Sequence, residues 1–152
     1  MSVFRANSIL PCSAVALRSF LGRPANLPLI SQPDLELEIL SAPEVIQTGE
    51  LIRFQIMAFG FKQKAIHEYT EVDESRIVEI LKEGAMRTWR HAQIMEVLSP
   101  TECRLVDEVE FEPPGGMLGY LLSEERIQSS LQEGMDFRYS ALRELIEDGD
   151  IT

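Results

Sequence analysis

Cysteine is scarce in this sequence: Cys12 and Cys103 are the only two among 152 residues. Their spacing matches neither a metal knuckle nor a redox pair, so two reduced thiols in an intracellular protein are expected. Histidine is as rare, with His67 and His91 alone. Two imidazoles and two thiols at unrelated spacings make no zinc site. A phosphate-cradling loop is missing, because Gly115-Gly116 follows two prolines and lacks the Lys-Ser/Thr that completes such a loop. No Gly-x-Ser-x-Gly turn exists to present a serine nucleophile. No metal or cofactor is therefore expected.

Positive charge is also in short supply, with 14 Lys and Arg against 25 Asp and Glu, a formal net of −11. A nucleic-acid backbone needs a basic surface to neutralise it, and anionic membranes attract polybasic segments. Neither partner is expected; the acidity reads as a self-repelling, soluble surface. Long apolar runs are absent too. Ile9-Leu10-Pro11-Cys12 has the outline of a lipoprotein processing site, but the residues before it are few and include Arg5, Asn7 and Ser8. Arg18 interrupts the apolar run that follows, which leaves no membrane span. A cytoplasmic location without stable membrane anchoring is expected, and the oligomeric state stays open.

What is present is a strong periodic pattern. The chain fits one domain, residues 1–152, large enough to bury a core without staples. From Met117 to about Glu147, apolar residues recur at helical spacing: Met117, Leu121, Ile127, Leu131, Met135, Phe137, Leu142, Leu145 and Ile146. Thirty residues of helix would run about 45 Å. Before it, Val3–Leu10 reads as a strand, Pro11 ends it, and Ser13 can cap a short helix over Ala14–Leu21 that turns Val15, Phe20 and Leu21 inward. A helical turn follows over Ala25–Ser31. Asp34–Leu40 alternates strictly and predicts a half-buried strand. Further strands are expected over Glu50–Phe59, Phe61–Val72, Arg76–Lys82, Met86–Leu98 and Thr101–Glu112, with Gly60, Asp73-Glu74-Ser75 and Ser99-Pro100 at the turns. Hairpin-connected strands followed by a helix make an α+β fold with an antiparallel sheet.

Parity then singles out candidate chemistry. Arg87, Trp89, His91, Gln93 and Met95 share one face of their strand; Cys103, Leu105, Asp107, Val109 and Phe111 share one face of the next. Pairing Leu98 with Glu102 at the corner sets Gln93 opposite Asp107 and His91 opposite Val109. His91 and Asp107 become diagonal neighbours within reach. Such a pair can be an oriented general base or simply two polar groups satisfying each other. Trp89 reads first as core, Arg87 as a rim residue or ion-pair partner, and His67 as structural or site-facing. Gly134 costs a helix about 1 kcal/mol against alanine, which close packing on the sheet explains better than room for a ligand.

With these residues in hand, the chain resembles the SRPBCC or START-like superfamily, whose members include polyketide cyclase/dehydrase-like and coenzyme-Q-binding proteins. The resemblance spans about Val3 to Glu147. It rests on Arg23-Pro24-Ala25-Asn26-Leu27-Pro28, Trp89-Arg90-His91, Asp107 with Phe111, the run Pro113-Pro114-Gly115-Gly116-Met117-Leu118-Gly119, and Phe137-Arg138-Tyr139 with Leu142. It implies a helix-grip: about seven bent antiparallel strands around the C-terminal helix, with an apolar cavity between them. Arg87, Trp89, His91 and Asp107 would then look into or across the cavity, and Asn26, Leu27 and Gly115–Gly119 would lie at its entrance.

Three functions compete at this point. A binding module would hold a hydrophobic small molecule (a lipid, quinone or polyketide) among Phe54, Ile56, Met57, Trp89 and Leu105, with His91 and Asp107 as the polar end. A cyclase/dehydrase-type enzyme would use His91 as base, Asp107 to orient it and Arg87 to stabilise an enolate oxygen. An interaction protein would have its cavity collapsed by its own side chains.

Overall fold

The computed structural model describes all residues, Met1–Thr152. Seven strands form one sheet: β1 (Ser2–Leu10), β2 (Glu38–Ser41), β3 (Leu51–Ala58), β4 (Phe61–Val72), β5 (Arg76–Glu83), β6 (Thr88–Ser99) and β7 (Glu102–Glu112). Their spatial order is β1-β7-β6-β5-β4-β3-β2, antiparallel at every step. Three α-helices complete the chain: α1 (Ala14–Leu21), the single turn α2 (Leu118–Leu121) and α3 (Glu124–Glu147), with 3₁₀ turns over Pro24–Ile30 and Pro33–Leu35. The sheet curls around α3, whose buried Ile127, Met135, Tyr139 and Leu142 form one stripe. This is the expected helix-grip, with its core between the concave sheet face and that stripe.

The β3–β4 hairpin shows how local chemistry shapes the sheet. Phe59 and Gly60 both take positive φ, 54° and 89°, as a tight hairpin turn requires. Glycine does so freely, whereas a bulky aromatic there is an outlier. Phe59 is held by packing on the core and by the Arg126 guanidinium 5.3 Å from its ring centroid.

Three local expectations are corrected. The long helix does not begin at Met117: Leu122 leaves helical geometry, and the Ser123 side chain caps a new helix by accepting from the Arg126 N–H. Glu124 and Glu125 then sit in the first turn, where the helix dipole favours them. The gripping helix is therefore about 36 Å long, and Met117 and Leu121 lie outside its stripe, 86% and 50% exposed. Asp34–Leu40 is not one strand. Pro33, with its fixed φ, starts a 3₁₀ turn and Glu36 turns left-handed, so pairing begins only at Glu38. The alternation of burial survives this break, with Leu35, Leu37 and Ile39 facing in. Val15 points to solvent, because Ser13 starts α1 in a phase that buries Ala14, Leu17 and Leu21 on one side and Ala16 and Phe20 beside them.

Candidate functional site

Between the concave sheet face and α3 lies an open cavity of about 310 Å³. Period-two alternation builds its walls: Ile52, Phe54, Ile56 and Ala58 from β3, then His67 and Tyr69, Ile77 and Glu79, and Trp89, His91 and Gln93 from the next three strands. From α3, Ile127, Leu131, Gly134, Met135 and Arg138 form the opposite wall. The cavity is not collapsed by its own side chains.

A row of polar groups crosses the sheet on this face. His67 Nδ1 lies 3.4 Å from Glu79 Oε2, and Glu79 Oε1 lies 3.4 Å from His91 Nδ1. His91 Nε2 meets Asp107 Oδ1 at 2.7 Å, and the Tyr139 hydroxyl donates to Asp107 Oδ2 at 2.7 Å. Strands β4, β5, β6 and β7 each contribute one residue, and α3 closes the row. The register that makes this possible is the expected one, with Gln93 opposite Asp107 and His91 opposite Val109.

Burial opposes charge on His91, Glu79 and Asp107, and their mutual contacts overcome it. His91 loses from burial but gains more from its hydrogen bonds to Asp107 and Glu79, which push its pKa up to about 9. Burial would raise the Glu79 and Asp107 carboxyls, yet the histidine contacts, with Arg138 and Tyr139 adding for Asp107, hold both below the usual range. Burial pushes the Tyr139 hydroxyl up, and the Asp107 charge reinforces it. At neutral pH His91 is an imidazolium, its Nε2 donating to Asp107 and its Nδ1 paired with Glu79 at 3.4 Å. It has no free lone pair with which to take a proton.

The sequence-derived site residues divide accordingly. Phe54, Ile56, Trp89 and His91 line the cavity. Met57 does not, because neighbours in a strand face opposite ways and Ile56 takes the inward position. Leu105 and Asp107 are fully buried on the concave face but lie outside the cavity wall, Asp107 behind His91 and Tyr139. Arg87 is exposed, just before β6, with its guanidinium over Gly115 where a Cβ would stand. An enolate-stabilising role for Arg87 has no geometry. Of the expected entrance, Leu27 lines the cavity, the Asn26 amide donates instead to the Phe20 carbonyl, and Gly115–Gly119 stays outside the lining.

Sequence reasoning gave no site role to Glu79, Tyr69, Tyr139 or Arg138, although Arg138 and Tyr139 were among the residues carrying the resemblance. The signals were an acidic residue sharing inward parity with Ile77 and Leu81, and polar residues within the apolar stripe of α3. Gly134 was also misjudged. A Cβ there would have only Gln32 Oε1 nearby, at 3.8 Å, so no packing against the sheet demands glycine. Gly134→Ala should raise the unfolding free energy by about 1 kcal/mol; a loss of stability in urea unfolding would show that the position is filled after all.

No protein-family model matches the chain, and no curated protein matches it by sequence. Solved structures do. A Thermus thermophilus protein is 19% identical, over 97% of this chain and 99% of its own, with a TM-score of 0.72. A START superfamily protein from Mycobacterium smegmatis is 15% identical, over 96% and 97%, also at 0.72. Norcoclaurine synthase from Thalictrum flavum, in complex with dopamine and hydroxybenzaldehyde, is 15% identical over 97% and 87%, at 0.69. Identities this low speak to architecture alone, and the architecture is consistent from end to end: the chain has the helix-grip fold of the START-like superfamily.

Proposed function

We propose that this protein binds an apolar small molecule in the cavity between the sheet and α3. The observation that carries the reading is the cavity itself: about 310 Å³, open, with mostly apolar walls and a few convergent polar groups. That is the usual make-up of a ligand site, at the small end of the usual range of about 300–1,000 Å³. A compact ring system, quinone- or polyketide-like, suits that volume better than a long-chain lipid. Gly134 supports the reading, since a helix that tolerates glycine without packing need leaves its face free for something else. One structural neighbour, norcoclaurine synthase, is itself a complex with two small aromatic molecules. A cyclase or dehydrase reading needs a free base, and His91 is engaged at both nitrogens.

Trp89 is the only tryptophan and lines the cavity, so its fluorescence reports on this site alone. Titration with the neutral fluorophore N-phenylnaphthylamine should quench Trp89 saturably. Gly134→Phe, which projects a ring into the cavity without a backbone clash, should weaken that binding by about tenfold or more. Equal binding by this variant, or none by the native protein, would sink the proposal.

A further inference from the structure

We infer that the ligand carries an anionic oxygen, such as a carboxylate, and that Arg138 receives it. The inference rests on the cavity being a binding site and adds the chemical class of what it binds.

Arg138 projects from α3 into the cavity wall. Its Nη1 is buried and has no hydrogen-bond partner in the protein. Buried donors are nearly always paired, and an unpaired one on a guanidinium is especially costly. The pairing that a guanidinium matches best is a carboxylate, through parallel charge-assisted hydrogen bonds. The protein supplies none here. Asp107 is near enough to feel the Arg138 charge, but its two oxygens are taken by His91 and Tyr139.

The charges around the cavity point the same way. The chain carries 25 acidic residues against 14 basic ones. Yet Glu79 is the only carboxylate lining the cavity, whereas Lys64, Arg138 and the His91 imidazolium line it. Glu79 lies between the two imidazoles, 3.4 Å from each. An acidic protein has thus placed an excess of positive charge around an apolar cavity, with the Arg138 Nη1 donor left open. An apolar body ending in an anionic oxygen complements both.

The test compares naphthoic acid with its methyl ester, by calorimetry and Trp89 quenching, at a pH where the acid is ionised. The native protein should bind the acid about tenfold or more tightly than the ester. Arg138→Met should lose that preference, and Arg138→Lys should restore part of it. An ester bound as tightly as the acid overturns the inference and leaves the cavity reading standing, as does a preference that persists in Arg138→Met. If neither compound binds and N-phenylnaphthylamine also fails, the cavity reading falls and this inference with it. Should Arg138→Met not fold, the acid–ester comparison in the native protein and in Arg138→Lys decides alone.

Discussion

Asp107→Ala is expected to cost about 3–5 kcal/mol of unfolding free energy, a large part of the total stability of an ordinary domain. The reason is not the cavity left by a small side chain. Asp107 is fully buried and answers two donors at 2.7 Å, the His91 imidazolium and the Tyr139 hydroxyl. Removing it leaves one buried cation half-compensated and one buried hydroxyl without an acceptor. Each is more expensive than the lost contact alone. Urea unfolding gives the number, and a loss below about 1 kcal/mol would mean that water or Glu79 takes over. The Asp107→Ala and His91→Ala double-mutant cycle should show strong coupling, since once the cation is gone much of the reason for the carboxylate goes with it.

Alkali should have nearly as large an effect. The folded-state pKa of His91 is about 9, against about 6.5 in an unfolded chain. Between those values the folded protein holds a proton that the unfolded chain releases, so stability falls as pH rises. The contribution is complete below about pH 6.5 and gone above about 9, and the difference is on the order of 3 kcal/mol. His91→Gln should flatten the profile in that window. A native profile that stays level from pH 6.5 to 9 would show that His91 is neutral in the folded state. On the acid side the sign reverses: Glu79 and Asp107 are held below their usual values, so their contribution is lost as pH falls beneath the normal carboxylate range.

One pair of this row, His91 with Asp107, was legible in the sequence, and the boundary of legibility has a physical cause. Counting back from a Leu98–Glu102 corner placed His91 diagonal to Asp107; the corner itself pairs Ser99 with Glu102, and a one-residue shift between Val97 and Ser99 brings the rest of β6 into the counted register. The same counting could not reach Glu79, which sits opposite His91 across a β5–β6 pair whose connection, residues 84–87, is too long to fix a register by counting. Nor could it reach His67, because the β4–β5 pairing slips twice, between Ile66 and His67 and between Tyr69 and Glu71. Each slip breaks the parity that carries information from strand to strand. Parity also tells face but not depth. Leu105 and Asp107 share the face of a cavity they do not reach: both are fully buried, and Tyr139 of α3 covers Asp107. Met57 fails more simply, since Ile56 beside it already faces in. The helix break at Ser123 was readable, with a capping serine followed by two glutamates. The apolar spacing of Met117 and Leu121 masked it.

The strand order has a consequence for how the molecule comes into being. β1 is synthesised first, yet its only neighbour in the sheet is β7, where Ser2 pairs with Phe111 and Leu10 with Cys103. No partner for those residues exists until β7, roughly a hundred residues later, has been made. The hairpins from β3 to β7 can form in sequence as the chain lengthens. The opening strand must then be gathered in across roughly a hundred residues, at the entropic cost of closing a long loop. Contacts of that span place folding toward the slow end for domains of this size, about milliseconds to seconds. Until β7 arrives and α3 docks behind it, His91 and Asp107 lie on bare sheet and stay hydrated. The charged row is sealed from water only as the last helix closes over a finished sheet.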